Sequence, residues 1–156
     1  MIVELLRLDG AVEHDPAIDA WFQAHGGGLG KIARRWFEVM RRCGDEVREV
    51  LHDGCPVACL GDVPFGYVNV FIAHMNVGFF QGAGLKDPDG LLQGTGKFMR
   101  HVKLRAGGDA ATAKRRSRFP EGMTERRAKA TEAQDAALRR LIVAAYSDMK
   151  ARVENG

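Results

Sequence analysis

Serine is almost absent from the chain. Its two serines, Ser117 and Ser147, stand outside any G-x-S-x-G turn of the kind that exposes a hydrolase nucleophile. Cysteine is also scarce and odd in number, with Cys43, Cys55 and Cys59 the three present. The opening "MIVELLRLDG" lacks a basic leader and carries Glu4 and Arg7 within its apolar run, so it does not read as a signal peptide. Free thiols in a reduced, cytoplasmic protein are the expectation. A Cys–His pair formed in space stays open, although no local motif points to one.

An uninterrupted apolar span is lacking as well. Val63–Leu85 holds no Asp, Glu, Lys or Arg, but it includes Asn69, His74, Asn76, Gln81 and four glycines. A lipid-exposed helix would leave those polar groups unsatisfied, and the apolar residues recur in twos. Two strands are expected there, and no membrane partner. Charge of one sign is missing too. The net charge of +3 hides a local cluster, because Lys114–Lys129 carries seven basic and two acidic residues and the remainder is slightly acidic. Nucleic acid is therefore not an expected partner except through Lys114–Lys129.

What is present suits one α+β domain. A chain of 156 residues, 46% hydrophobic and 28% charged, can bury a real core. Asp15-Pro16 reads as a cap followed by proline at the first helical position, predicting a short helix over Pro16–Ala24. Leu29, Ile32, Ala33, Trp36, Phe37 and Met40 form an apolar stripe at helical period, with basic residues and Glu38 opposite. Gly44 ends that helix, and Asp45 is positioned to cap a third short helix through His52. The period then changes to two. Cys55, Val57 and Cys59 share a face, as do Val68, Val70 and Ile72, with Tyr67, Asn69 and Phe71 opposite. "NVGFF" and "RHVKLR" complete an antiparallel sheet of four to five strands with helices packed on one face. Residues 107–134 read as a basic, mobile insertion, helical near its end, before a closing helix with Leu138, Leu141, Ile142, Ala145, Met149 and Val153. The domain spans 14–153, and 1–13 is an N-terminal extension.

The glycine-rich "GTGK" at Gly94–Lys97 is not a phosphate loop. Leu91 stands where the first glycine is required, Phe98 replaces the Ser/Thr, and a strand follows. Asp87-Pro88 instead starts a single helical turn anchored by Leu91 and Leu92. Two groups could hold metal. Cys43, His52, Cys55 and Cys59 have soft-ligand spacing, against which stands the burial expected of small thiols beside Val57. Asp45, Glu49 and Asp53 are spaced by four, with Glu46 beside them, and would form a row on the third helix able to bind iron; a capped, solvated helix face is the plainer account. The third candidate is the polar face of the sheet. Lys97, His101, Lys103 and Arg105 alternate along the last strand, near Tyr67, Asn69 and Phe71.

The stretches "DAWF", "ARRWFEVMRRCGDEVREVLHDGCPVACLGD", "YVNVFIAHMNVGFFQGAGLKDPDGLLQGTGKFMRHVKLR" and "LIVAAYSDM" resemble the YdhG-like domain family, over about Ala17–Arg105 and the last helix. The resemblance implies a small α+β fold of the frataxin-like two-layer kind. Some members are described as frataxin-like iron chaperones. Here that role would fall to Asp45, Glu46, Glu49 and Asp53. The basic stretch before the last helix departs from the family pattern. The expected function is a non-enzymatic binding domain without a resident cofactor, taking a small anion or a partner protein. Its candidate groups are Lys97, Arg100 and His101, with His74 and Tyr67 as neighbours. Iron carriage and docking through the basic insertion are the alternatives.

Overall fold

The computed structural model describes residues 5–105 and 121–155. Helix α1 spans Pro16–Ala24; Asp15 caps it by accepting the Ala17 N–H at 2.9 Å, and proline fills its first turn. Helix α2 spans Gly28–Arg41 and turns Ala33, Trp36, Phe37 and Met40 inward. Five strands follow: β1 Val47–His52, β2 Cys55–Leu60, β3 Val63–Val70, β4 Met75–Phe79 and β5 Arg100–Leu104. The closing helix, α3, spans Glu121–Asn155. The strands form one antiparallel meander in the order β1-β2-β3-β4-β5.

The sheet has one apolar face and one mixed face. Ala58, Phe65, Val68, Met75, Val77 and Val102 pack inward against α2 and against Leu138, Ile142 and Met149 of α3. Among the described residues, no helix is long and apolar enough to cross a membrane. The charge-free Val63–Leu85 stretch is two strands, as its alternation predicts. The segment before α1 is not idle. Leu8 is buried on the outer face with Val50, Val57 and Cys59, and Val12 exchanges two backbone hydrogen bonds with Glu49.

One expected element is wrong. Residues 45–52 do not form a third helix, because Val47–His52 is a strand paired with Cys55–Leu60. The physical reason is the connection. Asp53 (φ 50°) and Gly54 (φ 75°) both adopt left-handed backbone, which suits a tight two-residue hairpin whose twist matches the flanking strands. Val47, Glu49 and Leu51 then face the helices with period two. A second difference is small. Asp87-Pro88 starts a turn, not a helix: the Asp87 carboxylate accepts the N–H groups of Leu91 and Leu92 at 2.9 and 2.8 Å. The one-turn 3-10 helix lies earlier, at Gly82–Gly84. Gly94–Lys97 is loop, with β5 and no helix after it. Residues 121–134 of the expected insertion are helical backbone within α3. Of the basic cluster Lys114–Lys129, residues 114–120 lie outside the described residues.

Candidate anion-binding face and cleft

Strand register builds the outer face row by row. His101 lies opposite Gly78, which lies opposite Tyr67. Glycine is needed at 78 because the Tyr67 ring occupies the space above it, where a Cβ would overlap that ring. In the next row Lys103 lies opposite Asn76 and Asn76 opposite Asn69. The Asn76 Oδ1 is buried and has no hydrogen-bond partner among the described residues. His74 stacks on Phe71 at 4.7 Å, in the turn that joins β3 to β4.

The electrostatics of this face are set by its cations. The His74 imidazole is held below its ordinary value by burial, then by Lys103 and Arg105. His101 is lowered by burial, then by Lys103 and His74. Both shifts disfavour a further positive charge, so the face carries positive potential contributed mainly by Lys103 and Arg105. Tyr67 is raised, first by its own burial.

Along the free side of β5 runs a cleft of about 430 Å³. Arg35 and Trp36 of α2, Gln93, Lys103 and Arg105 of the sheet side, and Asp135 of α3 line it. Arg35 is held in place twice, by Asp135 at 2.8 Å and by the Trp36 ring, whose centroid lies 5.1 Å from the guanidinium carbon. Among the described residues, three cationic side chains thus face one carboxylate. Among the described residues neither Lys103 nor Arg105 has a carboxylate within ion-pair distance.

The expected binding residues divide. Tyr67, His74 and His101 sit on or beside the outer face with Lys103. Arg100 does not join them: it lies on the opposite parity of β5, and its Nη1 donates to the Gly96 and Met99 carbonyls at 2.5 and 2.6 Å, pinning the preceding loop. Lys97 is in that loop, its Nζ 5.2 Å from the Phe98 ring centroid. Arg35, Gln93 and Asp135 are cleft residues that no sequence pattern marks, since they are joined only by folding.

The two metal readings lose their geometry. Asp45, Glu46, Glu49 and Asp53 do not line up, because the segment is a strand. Glu49 is only 1% exposed and faces inward. It accepts the Asp15 N–H at 2.7 Å, and Arg41 Nε lies 2.6 Å from its other oxygen, as an ion pair not aligned as a hydrogen bond. Glu46 accepts the Tyr146 hydroxyl and has Lys150 at 3.7 Å, which keeps its carboxyl below the usual range. Asp53 belongs to the hairpin turn and Asp45 is exposed. Cys43 packs on the helix side while Cys59 is buried on the other sheet face. Among the described residues no group of three or more His, Cys, Asp or Glu converges as a metal site. Burial pushes the Cys43 thiol to about 11 and the Cys59 thiol to about 12, so neither is a ready thiolate. No family model, curated protein or solved structure matches this chain.

Proposed function

We propose that this chain is a binding domain without catalytic chemistry, and that the cleft beside β5 takes an anion, either a small molecule or an acidic group of a partner protein. One observation carries the reading: among the described residues, Arg35, Lys103 and Arg105 line a single cleft in which Asp135 is the one carboxylate, and His101 and His74 lie within the electrostatic reach of Lys103 on the adjoining outer face. Charge-assisted hydrogen bonds from such groups are the usual means of holding phosphate or carboxylate. The depressed histidines on the adjoining outer face are consistent with this, because an anion held by Lys103 would favour their protonated forms. The protonated thiols and the scarcity of serine leave binding better supported than covalent catalysis. Three unpaired cysteines support a reduced, cytoplasmic setting. Kinship with the YdhG-like domain family belongs to the same proposal, supported by a five-stranded antiparallel sheet under helices.

The test is thermal unfolding with inorganic phosphate and citrate, against chloride at matched ionic strength. Binding to the folded state raises the melting temperature with concentration. Both anions also stabilise proteins generally by exclusion from the surface, so the comparison is with Lys103→Ala/Arg105→Ala. The expected result is a rise in the wild type well above that in the variant. Equal rises in both would overturn the assignment.

A further inference from the structure

Strand β5 is the last of the meander, so among the described residues one of its edges has no neighbouring strand. Hydrogen bonds at one point show how that edge is oriented. The His101 N–H donates to the Gln93 carbonyl at 2.9 Å, and the Gln93 N–H donates to the His101 carbonyl at 2.7 Å. In antiparallel sheets the residues whose backbone groups point to one side alternate along the strand. The N–H and carbonyl of Lys103 must therefore also point away from β4, along the same edge as Gln93. Among the described residues they have no backbone partner. That stretch of edge borders the cleft lined by Arg35, Lys103 and Arg105.

We propose that the anion taken by this cleft is part of an extended acidic peptide, which adds to β5 as a sixth antiparallel strand continuing the pairing begun by Gln93. The proposal rests on the anion-binding reading above and names its ligand. Strand addition supplies affinity through backbone hydrogen bonds and selectivity through alternate side chains. A second copy of this chain is a poor occupant, because edge-to-edge pairing would set Lys103 and Arg105 against their own duplicates; lysines on an edge oppose such pairing. An acidic segment meets the opposite situation. The residue opposite Lys103 would present its side chain on the same outer face as Lys103 and His101, so Asp or Glu fits there. Its neighbours in the peptide would point to the helix side, beside Ile32, Trp36 and Leu104. The recognised pattern is acidic and small apolar residues in alternation.

Fluorescence anisotropy with the full chain tests this, using a labelled octapeptide of alternating glutamate and valine. Two further peptides carry methyl groups on the backbone nitrogens, in one on the glutamates and in the other on the valines. Residues paired by hydrogen bonds across an antiparallel ladder share a face, so the glutamate nitrogens are the ones that face β5. Methylating them should weaken binding by about tenfold or more, whereas methylating the valine nitrogens should leave it nearly unchanged. Equal binding by all three peptides would mean that charge alone holds them, and strand addition would be wrong. Failure of every peptide, with phosphate still stabilising the wild type over Lys103→Ala/Arg105→Ala, would overturn strand addition and leave the anion site standing. Failure of peptides and phosphate together would overturn both.

Discussion

The buried ion pair between β1 and α2 yields the sharpest prediction. Among the described residues Glu49 is the one charged residue in the fully buried set, and its carboxylate has few partners. Arg41 Nε is 2.6 Å away, the Asp15 N–H donates at 2.7 Å, and His14 Nδ1 lies 3.4 Å off. Arg41 also donates to the Glu13 carbonyl at 2.9 Å, so the same guanidinium ties the entry to α1 onto the end of α2. Replacing Arg41 by methionine keeps an unbranched apolar stem and removes the guanidinium and its charge. Glu49 would then be a buried anion served mainly by one backbone N–H.

Breaking a buried pair from one side costs about 3–5 kcal/mol. The Arg41 side chain is 27% exposed, so some solvent screens the pair and the lower end applies, about 3 kcal/mol. With a urea slope of about 2 kcal/mol per molar, the unfolding midpoint should fall by about 1.5 M. The double variant Arg41→Met/Glu49→Met should recover most of that loss, since a hydrophobic pair avoids the desolvation of two ions. Equilibrium urea unfolding at neutral pH measures both. A loss below about 1 kcal/mol for Arg41→Met would show that Glu49 is solvated or neutral, and the argument from burial would fail.

Other consequences can be checked on the same footing. The Tyr146 hydroxyl donates to Glu46, and that bond pushes the phenol up to about 12. A raised folded-state value means stability that is complete below the ordinary phenol value near 10 and is lost as pH rises through about 12. The fall in melting temperature between pH 10 and 12 should accordingly be shallower in Tyr146→Phe, which lacks the titrating group. On the acid side Glu46, held below its ordinary value, contributes stability that is lost as pH falls below the usual carboxylate range. In the core, Leu138 is fully buried where α3 meets the sheet. Leu138→Ala should cost about 2–5 kcal/mol in urea unfolding, and a cost under about 1 kcal/mol would mean that α3 is not docked as described.

Legibility in the sequence followed the strength of local patterning. Helix α2 announces itself through six apolar residues at helical spacing, and α1 through Asp15-Pro16; both appear where the pattern puts them. Strands β2 to β5 follow from period two and from the glycines between them. β1 was hidden by a coincidence. Asp45, Glu49 and Asp53 repeat every four residues, which favours a helix, while Val47, Glu49 and Leu51 repeat every two, which favours a strand. The deciding signal was Asp53-Gly54, a pair suited to left-handed backbone at both turn positions. It outweighs the acidic spacing because a solvated helix face gains little from like charges four apart.

The position of the candidate site follows from the topology more than from any motif. A meander has two free edges, and here they are treated differently. At β1 the chain itself returns, pairing Val12 with Glu49 and burying Leu8 on the outer face nearby. Among the described residues the return at β5 is likewise one bridge, Gln93 with His101, but there Lys103 and Arg105 continue past it. Alternation in "RHVKLR" could place His101, Lys103 and Arg105 on one side of a strand, but it could not show that this strand would be an edge. Nor could it show Arg35 arriving from α2, oriented by Asp135 from a hundred residues away. Those groups meet because α2 and α3 cross the inner face and stop short of covering the β5 edge. On the proposed function, the charge there is more than a solvated strand face. Edge lysines alone would serve to discourage self-association; under the proposal, an arginine clamped from the helix layer beside the same backbone groups would serve an incoming chain of opposite sign.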